Sequence, residues 1–199
     1  EFSAGITLED VTAKRDADGN IVLLIAGSDD RLTLVDPVND VDGIIASIKF
    51  ADGRQRKLTD IALSIAPTDG DDHIIIPADA TNPGGGSGVE VYGGLGNDHI
   101  ETGRGNDILT GGKGNDLLEG ATGADTYYFA RGDGQDVIVE TAEAGVVDKV
   151  RFGPGITAAD IQFLSMDASA LVVRIAGTDD RLTLKNIAPA DSGTRDYGI

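Results

Sequence analysis

A nine-residue unit that recurs without gaps constrains this chain more than any other feature. Gly93-Gly94-Leu95-Gly96-Asn97-Asp98-His99-Ile100-Glu101 is followed by Thr102-Gly103-Arg104-Gly105-Asn106-Asp107-Ile108-Leu109-Thr110. Then come Gly111-Gly112-Lys113-Gly114-Asn115-Asp116-Leu117-Leu118-Glu119 and Gly120-Ala121-Thr122-Gly123-Ala124-Asp125-Thr126-Tyr127-Tyr128. Asp98, Asp107, Asp116 and Asp125 share one phase of the period, and Ile100, Leu109, Leu118 and Tyr127 fall two residues later each time. One such unit cannot bury its apolar residue alone, whereas stacked units share a continuous thin core. A repeating solenoid follows from the period.

Weaker copies flank the run. Gly70-Asp71-Asp72-His73-Ile74 keeps the Gly, Asp and apolar positions in order, as does Gly132-Asp133-Gly134-Gln135-Asp136-Val137-Ile138 after two extra residues. Gly84 to Tyr92 keeps two leading glycines and Val91, but has Ser87 at the third glycine and Val89 where Asp is expected. Pro77 to Pro83 reads as an inserted loop.

The chemistry of Gly-Gly-x-Gly-x-Asp points to a hard cation. Closely spaced glycines let the backbone take φ > 0 and turn tightly. Such a turn directs carbonyl oxygens inward, and the Asp adds an anionic oxygen. Calcium takes six to eight oxygen ligands at about 2.3–2.6 Å, and carbonyls serve it well. The following x-apolar-x triplet is long enough for a short strand with its middle side chain turned inward. Composition agrees: 34 acidic against 16 basic residues leave a formal net charge of -18. Self-repulsion of that size opposes compaction until a cation neutralises it, and it disfavours nucleic acid and anionic membrane as partners. The chain has no cysteine, which excludes disulfides and thiolate zinc sites. No stretch reaches the roughly 18 apolar residues that span a bilayer. Glu1 to Asp10 has neither basic nor apolar leader character, so an export signal is expected outside this chain.

A second repeat runs at a longer scale. Gly5 to Asp36 matches Gly155 to Asn186 at a constant offset of 150, and Phe2 aligns with Phe152. Ile25-Ala26-Gly27-Ser28-Asp29-Asp30-Arg31-Leu32-Thr33-Leu34 pairs with Ile175-Ala176-Gly177-Thr178-Asp179-Asp180-Arg181-Leu182-Thr183-Leu184. The chain therefore reads as about one unit of a tandem array within a longer parent. Strands are expected at Ile21–Ala26 and Arg31–Val35, and again at Leu171–Ala176 and Arg181–Lys185, each pair joined by a polar turn. Thr7–Val11 and Thr157–Ile161 read as single helical turns capped by Thr. Further strands fit Ile44–Phe50, Thr126–Ala130 and Lys149–Phe152.

The nonapeptides resemble the RTX repeat of haemolysin-type calcium-binding proteins, a calcium-binding β-helix signature. The Ile-Ala-Gly-x-Asp-Asp-Arg-Leu-Thr-Leu element looks like the domain that accompanies such repeats in large type I secreted proteins. The resemblance implies an all-β fold, a right-handed parallel β-roll flanked by small antiparallel elements. It divides the chain into a flanking portion at 1–66, the roll at 67–138 and the next flanking copy at 139–199. Two nonapeptides make one coil in that family, so each ion lies between turns two repeats apart. Asp98 and Asp116 are then expected to share an ion with carbonyls of Gly94, Gly96, Gly111 and Lys113. On the opposite edge Asp107 and Asp125 would share one with carbonyls of Gly103, Gly105, Gly120 and Thr122. Outer sites would pair Asp72 with the Gly93–Asp98 turn, and Asp136 with Gly112, Gly114 and Asp116. Val89 departs from the pattern, so an ion between its turn and Asp107 is expected to be weak or absent. Thr102 replaces a first glycine, which matters little if that position supplies only a carbonyl.

Plainer readings stand beside these. Asn-Asp turns can simply be solvated, although strict recurrence argues against it. Asp29, Asp30, Asp179 and Asp180 admit another cation site, but read better as polar hairpin turns with Arg31 or Arg181 paired to a neighbouring carboxylate. His73 and His99 occupy equivalent outward positions, and a zinc site needs more than two such ligands. Tyr127, Tyr128 and Phe129 could form a sugar-stacking platform, but are expected rather to cap the open end of the core. Asp36-Pro37 invites a self-cleavage reading that the residues after it do not support. Arg104 and Lys113 face water. No Ser/His/Asp or Cys/His set appears, so a non-enzymatic module is expected. It would bind several calcium ions, fold after export by type I machinery, and act outside the cell or at its surface as a monomer. The parent would be a toxin, a long adhesin aimed at a host or cell surface, or a polysaccharide-modifying enzyme carrying the module.

Overall fold

The computed structural model describes residues 6–34, 47–50, 53–57, 61, 66–76, 88–141, 143, 145–166 and 170–186. The strands in chain order are β1 (Val11–Arg15), β2 (Ile21–Ile25), β3 (Arg31–Leu34), β4 (Ser47–Lys49), β5 (Gln55–Lys57), β6 (His73–Ile75), β7 (Glu90–Leu95) and β8 (His99–Glu101). They continue with β9 (Ile108–Lys113), β10 (Leu117–Ala121), β11 (Thr126–Phe129), β12 (Gln135–Glu140), β13 (Lys149–Phe152), β14 (Ile161–Met166), β15 (Ala170–Ile175) and β16 (Arg181–Lys185). Two 3-10 turns lie at Leu8–Asp10 and Ala158–Asp160, and Ile61 is helical. Thr7 and Thr157 begin these turns, each donating its amide and hydroxyl to the carboxylate three residues on.

The nonapeptides alternate between two parallel sheets. One runs β6-β8-β10-β12 and the other β7-β9-β11-β13, with each strand paired to the one a full coil away. Period-2 side-chain alternation turns the middle residue of each short strand inward. Ile74, Ile100, Leu118 and Ile138 stack in register on one sheet, and Val91, Leu109 and Tyr127 on the other. All seven are buried in one continuous core. A parallel β-roll with small antiparallel sheets is therefore the architecture.

The 150-residue duplication becomes two copies of a three-stranded antiparallel hairpin sheet, β1-β2-β3 and β14-β15-β16. Its first strand was not foreseen in either copy, because Thr7–Val11 and Thr157–Ile161 read as helical turns. Those turns are real but last three residues and then run straight into strand. In the second copy β16 adds in parallel to β12, from Gln135↔Arg181 to Val139↔Lys185, and so closes the last coil of the roll. Tyr127 and Phe129 do not cap the roll. Both are buried within it, and Tyr128 points outward beside Arg151, which donates to its hydroxyl at 3.2 Å. Val35, Ile44 to Ser47's preceding residue Ala46, Asp36-Pro37, the Pro77 to Pro83 loop, Gly84 to Ser87 and Phe2 lie outside the described residues.

Candidate metal centre

Each repeat Asp sits at the end of a turn, at or next to the start of a strand. That position hands its carboxylate to the neighbouring coil. Asp116 Oδ1 accepts the amide of Asp98 at 2.8 Å, and Asp98 Oδ1 accepts the amide of Asp72 at 2.9 Å. Asp136 Oδ1 accepts the amide of Asp116 at 3.1 Å. On the opposite edge Asp107 Oδ1 takes the amide of Val89 at 2.9 Å, and Asp125 Oδ1 takes that of Asp107 at 2.8 Å. The structure thus joins Asp98 with Asp116 and Asp107 with Asp125 in two ladders along the edges of the roll.

One oxygen of each pair is spent on the ladder. The other is not. Oδ2 of Asp98, Asp107, Asp116, Asp125 and Asp136 is buried and makes no hydrogen bond. A buried ionised oxygen without a partner is expensive, and five at one repeating position call for a cation.

The glycines shape a cradle around that oxygen. A Cβ on Gly93 would lie 2.4 Å from Asp98 Oδ2 and 2.5 Å from the carbonyl oxygen of Gly111, so both oxygens face one point. A Cβ on Gly111 would lie 2.1 Å from Asp116 Oδ2. The carbonyls of Gly94 and Gly96 lie against Gly112 and Gly114 of the next coil, where a Cβ would come within 2.2 and 1.7 Å of them. Lys113 carbonyl accepts the amide of Gly96 at 2.9 Å, leaving it one further lone pair. Across the roll, Thr122 carbonyl accepts the amide of Gly105 at 3.0 Å, and Gly103 carbonyl that of Thr122 at 3.3 Å. An oxygen-only donor set of carboxylates and carbonyls fits calcium and not a thiophilic metal.

Three positions refine the expected ligand pattern. Thr102 is buried, and its hydroxyl donates to the carbonyl of Gly120 at 3.2 Å. Its side chain therefore occupies the place that stands open at Gly93, and it engages a carbonyl expected to hold an ion. Asp72 directs its carboxylate to Thr68, which donates its amide at 2.6 Å and its hydroxyl at 3.1 Å. Asp136, by contrast, keeps the geometry of the central repeats.

Two residues outside the nonapeptides join the site. Asp148 Oδ1 accepts the amide of Asp125 at 3.0 Å, and so extends the second ladder by one coil. Asp125, Glu140 and Asp148 bring carboxylate oxygens within 4.8 Å of one another. Glu140 Oε1 and the Tyr127 hydroxyl are buried beside them without a well-formed hydrogen bond. The signal for Asp148 was present in Asp148-Lys149-Val150, which repeats Asp-x-apolar without the glycines. On the outer face, His73 and His99 stack at 4.4 Å. Both place Nε2 near Glu101 Oε1, at 2.9 and 3.2 Å, and His99 also reaches Glu119 at 2.9 Å. Asp180 is buried and accepts the amide of Gly132 at 2.9 Å, so it ties the hairpin to the roll and is not a solvated turn residue.

Burial pushes the ladder carboxylates above their ordinary range. Asp98 rises to about 6, Asp125 to about 7 and Asp136 to about 8, with neighbouring carboxylates adding to the effect. Glu140 rises to about 8, and Asp107 and Asp116 shift the same way, all mainly by desolvation.

Residues 92–127 match the family model of the RTX calcium-binding nonapeptide repeat, in four copies. No curated protein matches the chain in sequence. Among solved structures, the AlgE6R3 subunit of a mannuronan C5-epimerase from Azotobacter vinelandii is similar at 22% identity and TM-score 0.41, over 67% of this chain and 93% of that one. The AlgE6R2 subunit of the same enzyme is similar at 22% identity and TM-score 0.36, over 60% and 84%. The extracellular lipase LipA from Serratia marcescens is similar at 18% identity and TM-score 0.48, over 95% of this chain and only 30% of the lipase. With the ladder, the cradle and the matched repeats on one set of residues, residues 92–127 are RTX calcium-binding nonapeptide repeats, set in a parallel β-roll.

Proposed function

We propose that calcium drives the folding of this module after export, and that the module serves a large extracellular protein as a structural and folding element. The row of buried, unpartnered Oδ2 atoms carries the reading. Without a cation these oxygens repel and remain desolvated. The short strands bury too little surface to offset both that cost and chain entropy. Calcium bound only by the folded form adds about 1.4 kcal/mol per site for each tenfold excess over its dissociation constant. Extracellular modules typically bind near roughly 10⁻⁴–10⁻³ M, which suits a chain unfolded where calcium is scarce and folded outside.

The residues we assign to calcium on one edge are Asp98, Asp116 and Asp136 with the carbonyls of Gly94, Gly96, Gly111 and Lys113. On the other edge they are Asp107, Asp125 and Asp148 with carbonyls of Gly103, Gly105 and Thr122. Asp72 is a weaker end position. The proposed division is 1–66, 67–138 and 139–199, with β13 and β16 of the last portion adding strands to the two sheets of the roll. The module is read as non-catalytic and monomeric, exported unfolded by type I machinery. Tandem duplication at an offset of 150 favours a long adhesin as parent, where repeated units supply reach.

A calcium titration followed by far-UV circular dichroism and calorimetry tests this. The expected result is β structure that appears with calcium uptake and is reduced in Asp107→Ala and Asp116→Ala. Full β structure in excess chelator would refute it.

A further inference from the structure

The two hairpin copies fold alike but are used differently. In both, the first and second strands start in the same register, Val11↔Ile25 and Ile161↔Ile175, and the second copy departs from it at a bulge between Phe163 and Ser165. The second and third do too, Ile21↔Leu34 and Leu171↔Leu184. The amide of Ala26 reaches the Asp10 carbonyl at 2.7 Å, as that of Ala176 reaches Asp160.

The second copy docks on the end of the roll through β16. Besides the strand pairing, Arg131 donates to the carbonyl of Ala176 at 2.8 Å and meets Asp160 at 3.0 Å. Gly132 donates its amide to Asp180. Leu182 is 1% exposed there. The equivalent residue in the first copy, Leu32, is 44% exposed, and Asp30 and Arg31 are exposed with it. Among the described residues β3 pairs with β2 alone.

The first copy instead uses its other side. Arg15 donates to the carbonyl of Ile75 at 2.9 Å, and Gly19 packs against His73 and Ile75 at the first coil. On that side of the second copy, Phe163 of β14 is 60% exposed and Leu164 is 48% exposed. Each copy therefore displays half of one set of contacts, and the apolar residues left in water lie on the unused half.

We infer that the free edge of β3 is a docking edge for the last coil of another roll of this kind, in the register that β16 takes on β12. The hairpin is then a two-sided adaptor. Its third strand closes the roll before it and its first two strands seat the roll after it. The occupant is set by the duplication, since Leu32, Asp30, Asp10 and the Ala26 carbonyl repeat the groups that β12, Gly132 and Arg131 already engage in the second copy. An intact chain has its own last coil covered by β16, so the edge is satisfied by an array and not by dimerisation of this chain.

A tandem protein of residues 1–154 followed directly by 5–199 tests the inference in saturating calcium. Both rolls keep their native sequence, and the internal copy of residues 5–36 takes the place that residues 155–186 hold after the first roll in the single chain. Hydrogen exchange of the peptide containing Val137 to Val139 should show one protected population. Leu32→Asp in the internal hairpin should convert half of that population to fast exchange. The same substitution in the single chain should leave the peptide protected. A half-and-half mixture before any substitution, or no response to Leu32→Asp in the tandem, overturns the docking edge alone. Fast exchange of the whole population in calcium would sink the calcium-folding reading with it.

Discussion

Asp116 shows how much one side chain of the ladder does. Its Oδ1 accepts from Asp98, its own amide donates to Asp136, and its Oδ2 faces the glycine cradle. Asp116→Asn keeps an oxygen for the ladder while removing the buried charge. It should raise the folded fraction in chelator and weaken calcium binding by about tenfold or more, or ~1.4 kcal/mol; circular dichroism and calorimetry on one sample would show the two effects with opposite signs. Thr102→Gly removes the hydroxyl that holds the Gly120 carbonyl, and calcium affinity on the Asp107–Asp125 edge should rise. An unchanged titration would mean that Thr102 is itself a good ligand. Gly114 has φ 145°, and a Cβ there would lie 1.7 Å from the Gly96 carbonyl. Gly114→Ala should therefore lower the melting temperature well beyond the effect of Gly132→Ala, where φ is 88° and nothing lies near. A left-handed backbone alone costs roughly 1–2 kcal/mol.

At the scale of the strand, the nonapeptide dictates almost everything. A three-residue x-apolar-x strand admits one inward residue, and Ile100, Leu109, Leu118 and Tyr127 are all buried as their phase requires. Leu118→Ala, at the centre of this stack, should cost about 2–5 kcal/mol in calcium-loaded protein, read from denaturant unfolding. The hairpin strands were less legible. Arg181–Lys185 and Lys149–Phe152 fall where alternation put them, but β1 and β14 follow 3-10 turns whose Thr and Asp are strong helix-start signals. Local capping chemistry was read correctly, and the strand after it was hidden because its partner lies across a turn. Tyr127 and Phe129 were misplaced for a similar reason. Aromatic clusters suit an exposed end, yet two further layers, β13 on one sheet and β16 on the other, lie beyond them.

For the molecule as a whole, the proposed coupling of folding to calcium rests on the raised pKa values of the buried carboxylates. A carboxylate whose folded pKa is raised penalises folding while ionised, and the penalty fades as pH falls through the folded value towards the unfolded one. The window runs from about 8, set by Asp136 and Glu140, through about 7 and 6 at Asp125 and Asp98, down to the ordinary 3.8. Metal-free protein should accordingly gain β structure on acidification from about pH 8 to about pH 5. Calcium-loaded protein should lose affinity over the same interval, because protons compete for the same oxygens. Circular dichroism in chelator and in calcium across that range checks both, and equal pH responses would contradict the buried-ladder account.

The short period, its Gly-Gly-x-Gly-x-Asp spacing and the duplication at 150 residues were enough to specify stacked coils, the phase of the core, and a calcium-type oxygen site. These depend on local backbone freedom and on which residue types recur, both of which are written along the chain. Tertiary structure alone decided which carboxylate oxygen serves the ladder and which remains free. It also brought Asp148 and Glu140 to Asp125, set Thr102 on the Gly120 carbonyl, and gave the two hairpins opposite ends of the roll. Those outcomes depend on distances between residues that only stacking makes neighbours, and of them Asp148 alone, in its Asp-x-apolar triplet, left a local trace.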